Sequence, residues 1–227
     1  MCIRDRYITT RTPFVTLKLA TTLDGFIADT AGKSKWITGA ETRKLVHQWR
    51  AWSDAVMVGV GTVLADDPSL TVRDAAGKDP LRIIVDSFLR TPTDAKVLAD
   101  DNVLIAVSDG ADPDSVKQFR GSGVDVVTVE GRDGRVSLPS LMTLLGEREV
   151  TSVLCEGGSA LAGSLLREHI ADKIVFTMAP AILGDGLHAL TDTGASSLDE
   201  AVRLADVETE TIDGDIVVTG YLEYANG

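Results

Sequence analysis

One stretch of the chain, residues 56–73, gathers glycines, carboxylates and a guanidinium close together. It opens with a short apolar run that is typical of a buried strand. Gly59 and Gly61 follow, and glycine lets the backbone come close to a ligand. The acidic pair at 66–67 and then Arg73 supply charges that can bind polar groups. The stretch predicts a ligand-facing loop, and an ordinary strand-to-helix turn with surface charges is the alternative that it leaves open.

A second candidate follows the apolar run at residues 152–155. Glu156 comes first, then the glycine pair 157–158, and a helix is expected from there to His169. A strand, glycines and a helix in this order can point the amino end of the helix at a phosphate. The motif is neither G-x-G-x-x-G nor a Walker A loop. A tight turn that glycine merely permits is therefore an equal alternative.

Two side chains are unusual for their surroundings. Residues 14–20, FVTLKLA, alternate with a period of two and predict a strand, with Lys18 on the face opposite the leucines. Lys18 either snorkels at a sheet edge or aims its charge into a cleft. Trp36, in a polar loop at residues 32–39, either plugs the core or lines a pocket over a flat ring.

The composition bounds the class of protein. A length of 227 residues with 44% apolar residues suits one large α/β domain or two small ones. The net charge of −12 argues against nucleic acids and anionic membranes as partners.

No apolar membrane span or signal region is visible, so a cytoplasmic location is expected. Two cysteines exclude a disulfide framework, and three scattered histidines offer no metal site. Cys155 is expected to be a small buried hydrophobe, whereas Cys2 lies in a segment unlike the rest.

Strands that alternate with helices predict an α/β fold with a mostly parallel central sheet and helices on both faces. A hairpin around Asp213-Gly214 is expected to add an antiparallel edge at the carboxyl terminus. The predicted strands are 14–20, 56–58, 81–85, 103–107, 124–129, 152–155, 173–178 and 216–224, with a further candidate near Val207. The predicted helices are 39–52 with Trp52 on its apolar stripe, a short turn capped by Thr62, 113–120 capped by Asp112, 138–145, and one ending at His169. Residues 13–225 are expected to form a single domain, and residues 1–12 to be a tail or the remnant of a linker.

Over residues 13–224 the chain resembles the reductase domain of bacterial riboflavin biosynthesis, 5-amino-6-(5-phosphoribosylamino)uracil reductase. Five motifs in order carry the resemblance: TLKLATTLDG, SKWITG, GVGTVLADDPSLTVR, PLRIIVDS and EGGSALAGSLL with the later APAILG. The resemblance implies a dihydrofolate-reductase-like fold, NADPH as cofactor and a homodimer. In many bacteria this domain is fused behind a zinc deaminase. The H-x-E and P-C-x-x-C motifs of that deaminase are absent here, which implies a stand-alone reductase or a fragment of a fused protein.

The resemblance also implies which residues bind ligands. NADPH would be held by Ala20, Trp36, Thr62, Asp66, Ser87 and the turn of Gly158, Ser159, Ala160, Leu161, Ala162 and Gly163. The substrate would be held by Ser34, Arg50, Leu70, Arg73 and Glu156, with the two arginines on the 5′-phosphate. Lys18 and Glu156 would be the catalytic residues, and no metal is implied.

The implied reaction reduces the ribosyl C1′ of a phosphoribosylamino-pyrimidine to a ribitylamino product by hydride transfer. The protein supplies placement and electrostatics, and the cofactor supplies the chemistry. Two alternatives stay open from the sequence. One is reduction of the undeaminated 2,5-diamino-6-ribosylamino-pyrimidinone phosphate, and the other is a non-catalytic nucleotide-binding module. The implied reaction requires Arg50, Arg73 and the turn after Glu156 to meet at one cleft.

Overall fold

A computed structural model describes residues 3–225, so that Met1, Cys2, Asn226 and Gly227 lie outside the described part of the chain. The strands are β1 Phe14–Thr22, β2 Phe26–Ala28, β3 Ala55–Gly59, β4 Leu81–Val85, β5 Val103–Val107, β6 Asp125–Thr128, β7 Gly131–Arg132, β8 Arg135–Val136, β9 Ser152–Cys155, β10 Lys173–Ala179, β11 Leu187–His188, β12 Arg203–Ile212 and β13 Asp215–Glu223. The helices are α1 Ile3–Thr10, α2 Ala40–Trp52, α3 Val60–Asp66, α4 Pro113–Gly121, α5 Leu138–Glu147 and α6 Ser159–Arg167, with a 3-10 turn at Lys96–Leu98. Within residues 3–225, no helix is both long enough and apolar enough to span a bilayer.

A nine-stranded sheet organises the molecule, in the order β12-β13-β10-β1-β9-β3-β4-β5-β6. The seven strands from β10 to β6 run parallel. The hairpin of β12 and β13 adds an antiparallel edge beside β10. Because β1 lies inside the sheet between β10 and β9, its Lys18 is not snorkelling at an edge.

Both faces of the sheet are buried, because successive residues of a strand pack into different cores. On β3, Ala55 and Met57 belong to one core together with residues of α5 and α6. Val56 and Val58 belong to the other core, together with residues of α3 and α4. Parallel strands that are covered on both faces appear in a sequence as continuous runs of apolar residues. The structure thereby confirms the predicted α/β architecture with its antiparallel carboxyl-terminal edge.

Two local predictions were wrong. Thr62 does not cap a helix, because α3 begins at Val60 and Thr62 lies inside its first turn. Trp52, assigned to the apolar stripe of α2, is 71% exposed. The buried residues of α2 are instead Thr42, Val46 and His47, a partly polar stripe that hydrophobic periodicity does not detect.

The first described residues form helix α1, which buries none of its residues. It contacts the rest of the domain through polar groups. The Tyr7 hydroxyl donates to the Gly146 carbonyl at 3.0 Å, and Arg6 lies 3.3 Å from the Asp172 carboxylate. That residues 1–12 are a linker remnant stays a prediction.

Candidate functional site

The carboxyl ends of β1, β3 and β9 open into one cavity of about 860 Å³. A cavity of this size suits a small molecule or cofactor, and open α/β sheets bind ligands at this edge. The loop before α2, the helix α2 itself and the loop after α3 complete its wall. The predicted site residues that line it are Lys18, Ala20, Ser34, Trp36, Arg50, Thr62, Asp66, Leu70, Arg73, Glu156, Gly158, Ser159, Ala160 and Leu161.

Arg50 and Glu156 form a two-pronged ion pair inside this cavity. Arg50 Nε donates to Glu156 Oε1 at 2.5 Å, and Nη2 donates to Oε2 at 2.8 Å. Arg50 Nη1 donates to the Thr71 carbonyl at 3.0 Å. The guanidinium fork is thus occupied by a carboxylate. In this geometry Arg50 orients Glu156. That Arg50 binds the substrate phosphate stays a prediction.

The charges around Glu156 set its ionisation and that of Lys18. Burial favours the neutral form of Glu156, but the nearby Arg50 and then Lys18 outweigh burial, and the pKa of Glu156 is lowered. Burial lowers the pKa of Lys18 from its usual 10.5, and Glu156 offsets this only in part. The cavity therefore holds a fixed carboxylate beside an ammonium that gives up its proton more readily than an exposed lysine does.

Arg73 offers an available cation at the same cavity. Arg73 is exposed. Within residues 3–225 its side chain donates one hydrogen bond, a long one from Nη1 to Thr71 Oγ1 at 3.4 Å. Its backbone N–H donates to His47 Nδ1 at 3.2 Å. Arg50 and Arg73 therefore lie at one cleft, as the sequence hypothesis required.

Helix α6 begins at the cavity without a side-chain cap. Its N-cap is Gly158, whose φ of +75° favours glycine. A Cβ on Gly157 would lie 3.0 Å from Thr62 Oγ1, so the glycine pair lets this turn lie directly against α3. The first N–H groups of a helix lack partners within it and carry partial positive charge. This turn therefore fits a phosphate-bearing cofactor.

The loop before α2 closes over the cavity through polar contacts. Trp36 is 70% exposed, so it does not plug the core. The guanidinium carbon of Arg43 lies 4.5 Å from the centre of the indole ring. Ser34 Oγ donates to Asp66 Oδ1 at 2.6 Å, and Lys35 Nζ donates to the Asp66 carbonyl at 3.0 Å. An exposed ring backed by a cation is a surface on which a flat ligand ring can stack.

The cavity is locally basic although the chain carries a net charge of −12. Basic side chains outnumber acidic ones along its wall, which favours an anionic ligand. The basic residues are Lys18, Lys35, Arg43, Arg50, Arg73 and Lys96, and the acidic residues are Asp66, Asp67 and Glu156.

Three residues predicted to bind the cofactor do not line the cavity. Ser87 follows β4, and its Oγ accepts a hydrogen bond from the Val136 N–H at 3.1 Å. Ala162 is completely buried. A Cβ on Gly163 would lie 1.7 Å from the Thr191 carbonyl oxygen, so this glycine serves packing. Ala162 and Gly163 do not line the cavity because α6 leads away from it after its first turn.

Leu70 lines the cavity but exposes almost none of its surface. It is 3% exposed and belongs to the core that includes α3 and α4. Its φ of +55° lies in the left-handed region, which is costly for a leucine. Contact with a ligand would therefore come from its main chain.

Sequence reasoning missed some residues that the structure brings to the site. His47, Arg43, Lys35 and Lys96 all line the cavity. His47 had one usable signal, because it precedes Arg50 by three positions and the two therefore share a face of a helix. Lys35 and Lys96 contact Asp66 and Asp67 in a distant segment, which local patterns do not reveal. Arg43 contacts the nearby Trp36 ring.

Comparison with known proteins places this chain among riboflavin-biosynthesis proteins. A model of the RibD C-terminal domain matches residues 13–218. The riboflavin biosynthesis protein RibD of Actinobacillus pleuropneumoniae is 42% identical over 219 residues, which cover 93% of this chain and 57% of that protein. The 2,5-diamino-6-ribosylamino-4(3H)-pyrimidinone 5′-phosphate reductase of Methanothermobacter thermautotrophicus is 39% identical over 212 residues, which cover 91% of this chain and 96% of that protein. The chain thus spans little more than half of the RibD relative.

Solved structures agree with the fold. A diaminohydroxyphosphoribosylaminopyrimidine deaminase/5-amino-6-(5-phosphoribosylamino)uracil reductase from Thermotoga maritima aligns with a TM-score of 0.77 at 33% identity, over 97% of this chain and 60% of that one. A dihydrofolate reductase from Enterococcus faecalis aligns with a TM-score of 0.51 at 12% identity, over 92% of this chain and 96% of that one. This second likeness concerns the fold alone and confirms its predicted dihydrofolate-reductase-like class.

Proposed function

The chain belongs to the RibD C-terminal domain family, and we propose that it is an NADPH-dependent reductase of riboflavin biosynthesis acting on 5-amino-6-(5-phosphoribosylamino)uracil. The observation that carries the proposal is the convergence of Lys18, the Arg50–Glu156 pair, the exposed Arg73 and the start of α6 at one basic cavity. The names of the Thermotoga maritima and Methanothermobacter thermautotrophicus relatives, both reductases of phosphorylated pyrimidines, support it.

The hydrogen-bond donors at the cavity support NADPH as the cofactor. The first turn of α6 would hold a phosphate of NADPH, with Trp36, Thr62, Asp66 and Ala20 along the rest of the molecule. When bound, the cofactor supplies a hydride. Donor and acceptor carbons need to come within roughly 3–3.5 Å for this transfer. A basic wall in an acidic chain suits the phosphates that NADPH carries.

The residues of this chain would act on the sugar and the pyrimidine. Opening of the ribose ring breaks the C1′–O4′ bond, and the electron pair goes to O4′, which takes a proton. The exocyclic nitrogen loses its proton and forms an imine with C1′, the carbon that then accepts hydride, and the nitrogen is reprotonated. Lys18 donates the proton to O4′. Glu156, held ionised by Arg50, accepts hydrogen bonds from pyrimidine N–H groups.

Arg73 is the proposed ligand of the 5′-phosphate. Replacing it with alanine is expected to raise the KM of the phosphorylated substrate about ten-fold or more, because a charge-assisted hydrogen bond is lost. The KM of the dephosphorylated analogue should change little. Steady-state kinetics with both compounds measure the two values. Equal losses for both compounds would show that Arg73 does not bind the phosphate.

NADPH oxidation measured with the deaminated and the undeaminated pyrimidine side by side tests the function. We expect higher kcat/KM for the deaminated uracil. The undeaminated compound is the second candidate substrate, because the Methanothermobacter thermautotrophicus relative, of which this chain covers 96%, is named for it. Faster turnover of that compound would reassign the substrate. NADPH binding without oxidation in the presence of either compound would identify a non-catalytic nucleotide-binding module.

Assembly and context belong to the same proposal. We propose that residues 13–225 form one reductase domain in the cytoplasm, as a homodimer that is fused to or works with a zinc deaminase. The Thermotoga maritima protein, whose name includes a deaminase activity and of which this chain covers 60%, supports the association. The largely exposed outer strand β12 leaves backbone groups open for a partner strand. Light scattering during gel filtration measures the mass and would reveal a monomer.

A further inference from the structure

We propose that His47 is a positioning residue, which fixes the main chain at Arg73 through its Nδ1 and so directs the Arg73 guanidinium into the cavity. The inference rests on the proposed function, because it takes Arg73 to be a ligand of the substrate. His47 belongs to α2 and is only 6% exposed. The proposed chemistry leaves this buried imidazole without a role of its own.

The loop around Arg73 is attached to α2 at two points. At the first point, the backbone N–H of Arg73 donates to His47 Nδ1 at 3.2 Å. Two residues earlier, the Thr71 carbonyl accepts from Arg50 Nη1 at 3.0 Å. Between them, the Val72 N–H donates to Asp79 Oδ1 at 2.6 Å, which is a contact within the loop. The orientation of Arg73 therefore depends on α2, and His47 makes the attachment nearest to it.

The contact defines the protonation state of His47. A nitrogen that accepts a hydrogen bond carries no proton, so the proton of the neutral ring lies on Nε2. Nε2 faces the Asp74 carboxylate, with Oδ2 at 3.7 Å. A second proton could only go to Nδ1, where it would remove the acceptor and place two N–H groups against each other. Protonation of His47 therefore releases the main chain at Arg73.

Charged groups on every neighbouring element bear on this titration. Arg50 lies on α2 itself, Arg73 and Asp74 lie on the loop, and Glu156 lies at the end of β9. Burial lowers the pKa of His47 from its usual 6.5, and the charges of Arg50 and Arg73 lower it further. The carboxylates of Asp74 and Glu156 raise this pKa but do not cancel the decrease. The ring is therefore neutral at pH 7, and the attachment is lost only as the pH falls below 6.5.

Two substitutions separate the role of the acceptor from that of the ring. His47→Leu removes the acceptor, whereas His47→Gln keeps an oxygen that can accept the Arg73 N–H and does not titrate. Amide hydrogen exchange of the Arg73 N–H is measured on the ligand-free full chain at pH 8. We expect its protection to fall about ten-fold or more in His47→Leu and to stay near the wild-type level in His47→Gln. Equal protection in all three proteins would overturn the proposal.

Kinetics give the second readout. At pH 8, His47→Leu should raise the KM of the phosphorylated substrate about ten-fold with kcat within two-fold, and His47→Gln should restore the KM. Between pH 8 and pH 5.5, the KM of the wild type should rise more than that of His47→Gln. The substrate phosphate titrates equally in both, so the difference belongs to His47. Identical pH profiles, or a kcat loss without a KM change, would contradict a positioning role. If no protein turned over the substrate, the proposed function would fail, and the exchange rates would still decide the role of His47.

Discussion

Replacing Lys18 with methionine is expected to lower kcat about a hundred-fold or more, with no loss of thermal stability. General acid catalysis typically contributes 10²–10⁴-fold, and the lowered pKa of Lys18 suits the donation of a proton. Burial is the main cause of that lowered pKa, so the folded state holds this charge at a cost. Methionine removes the charge and fills similar space, and Tm should stay equal or rise.

Control variants make the Lys18 result specific. Lys173 lies on the neighbouring strand β10, outside the cavity, with its Nζ 5.6 Å from the centre of the Tyr221 ring. Lys173→Met should leave kcat within two-fold of the wild type. In the wild type, kcat/KM should decline on the alkaline side below the usual lysine pKa of 10.5. Lys18→Arg should lose kcat as Lys18→Met does, because a guanidinium keeps its proton and cannot donate it to O4′. A Lys18→Met enzyme with normal kcat and only a raised KM would show that Lys18 binds substrate and does not transfer the proton.

Replacing Gly163 with alanine is expected to destabilise the fold by about 3 kcal/mol, because the new methyl group meets a backbone atom. The Cβ would lie 1.7 Å from the Thr191 carbonyl oxygen and 2.9 Å from its carbon. Main-chain atoms cannot rotate away as a side-chain end can. The Thr191 segment must therefore move off α6, breaking the contact of Ser159 Oγ with Thr191 Oγ1 at 3.0 Å.

Chemical denaturation and thermal melting measure the Gly163→Ala effect, which should lower Tm by roughly 6–12 °C in a domain of this size. Gly121→Ala in α4 is the matched control, since a Cβ there meets nothing within 4 Å. That control should be neutral or stabilising by about 0.4–1 kcal/mol. Equal stability of both variants would mean that α6 and the Thr191 segment can separate without cost.

The sequence predicted the sheet well because its strands are buried on both faces. Runs such as residues 103–107 are apolar throughout, and β5 has the same bounds in the structure. Lys18 stood out as the one charged residue of β1, whose other residues are apolar or threonine. Asp112 was predicted as a cap from its neighbours alone, and it does accept the Ser115 N–H at 2.9 Å. These features depend on residues close together in the chain.

The contacts that arrange the site join residues far apart in the chain. Family resemblance assigned Arg50 to the substrate phosphate, but its fork is held by Glu156, more than a hundred positions away. The attachment of Arg73 to His47 spans two segments that carry no shared pattern. Family resemblance assigned Ala162 and Gly163 to the cofactor together with Gly158, whereas the direction of α6 takes them away from the cavity. Local periodicity describes which residues form an element, and the fold decides which of them meet.

Asp215, the first residue of β13, connects the end of the chain to the beginning of the site. This buried carboxylate accepts the Gly39 N–H at 2.7 Å and the Thr42 hydroxyl at 2.6 Å. It therefore caps α2, whose own N-cap has no side chain to do so. During synthesis on the ribosome, the amino end of α2 is secured only once Asp215 has been made, 176 positions after Gly39. A nascent chain that still lacks β12 and β13 would contain the site residues of α2, but the amino end of that helix would not be capped.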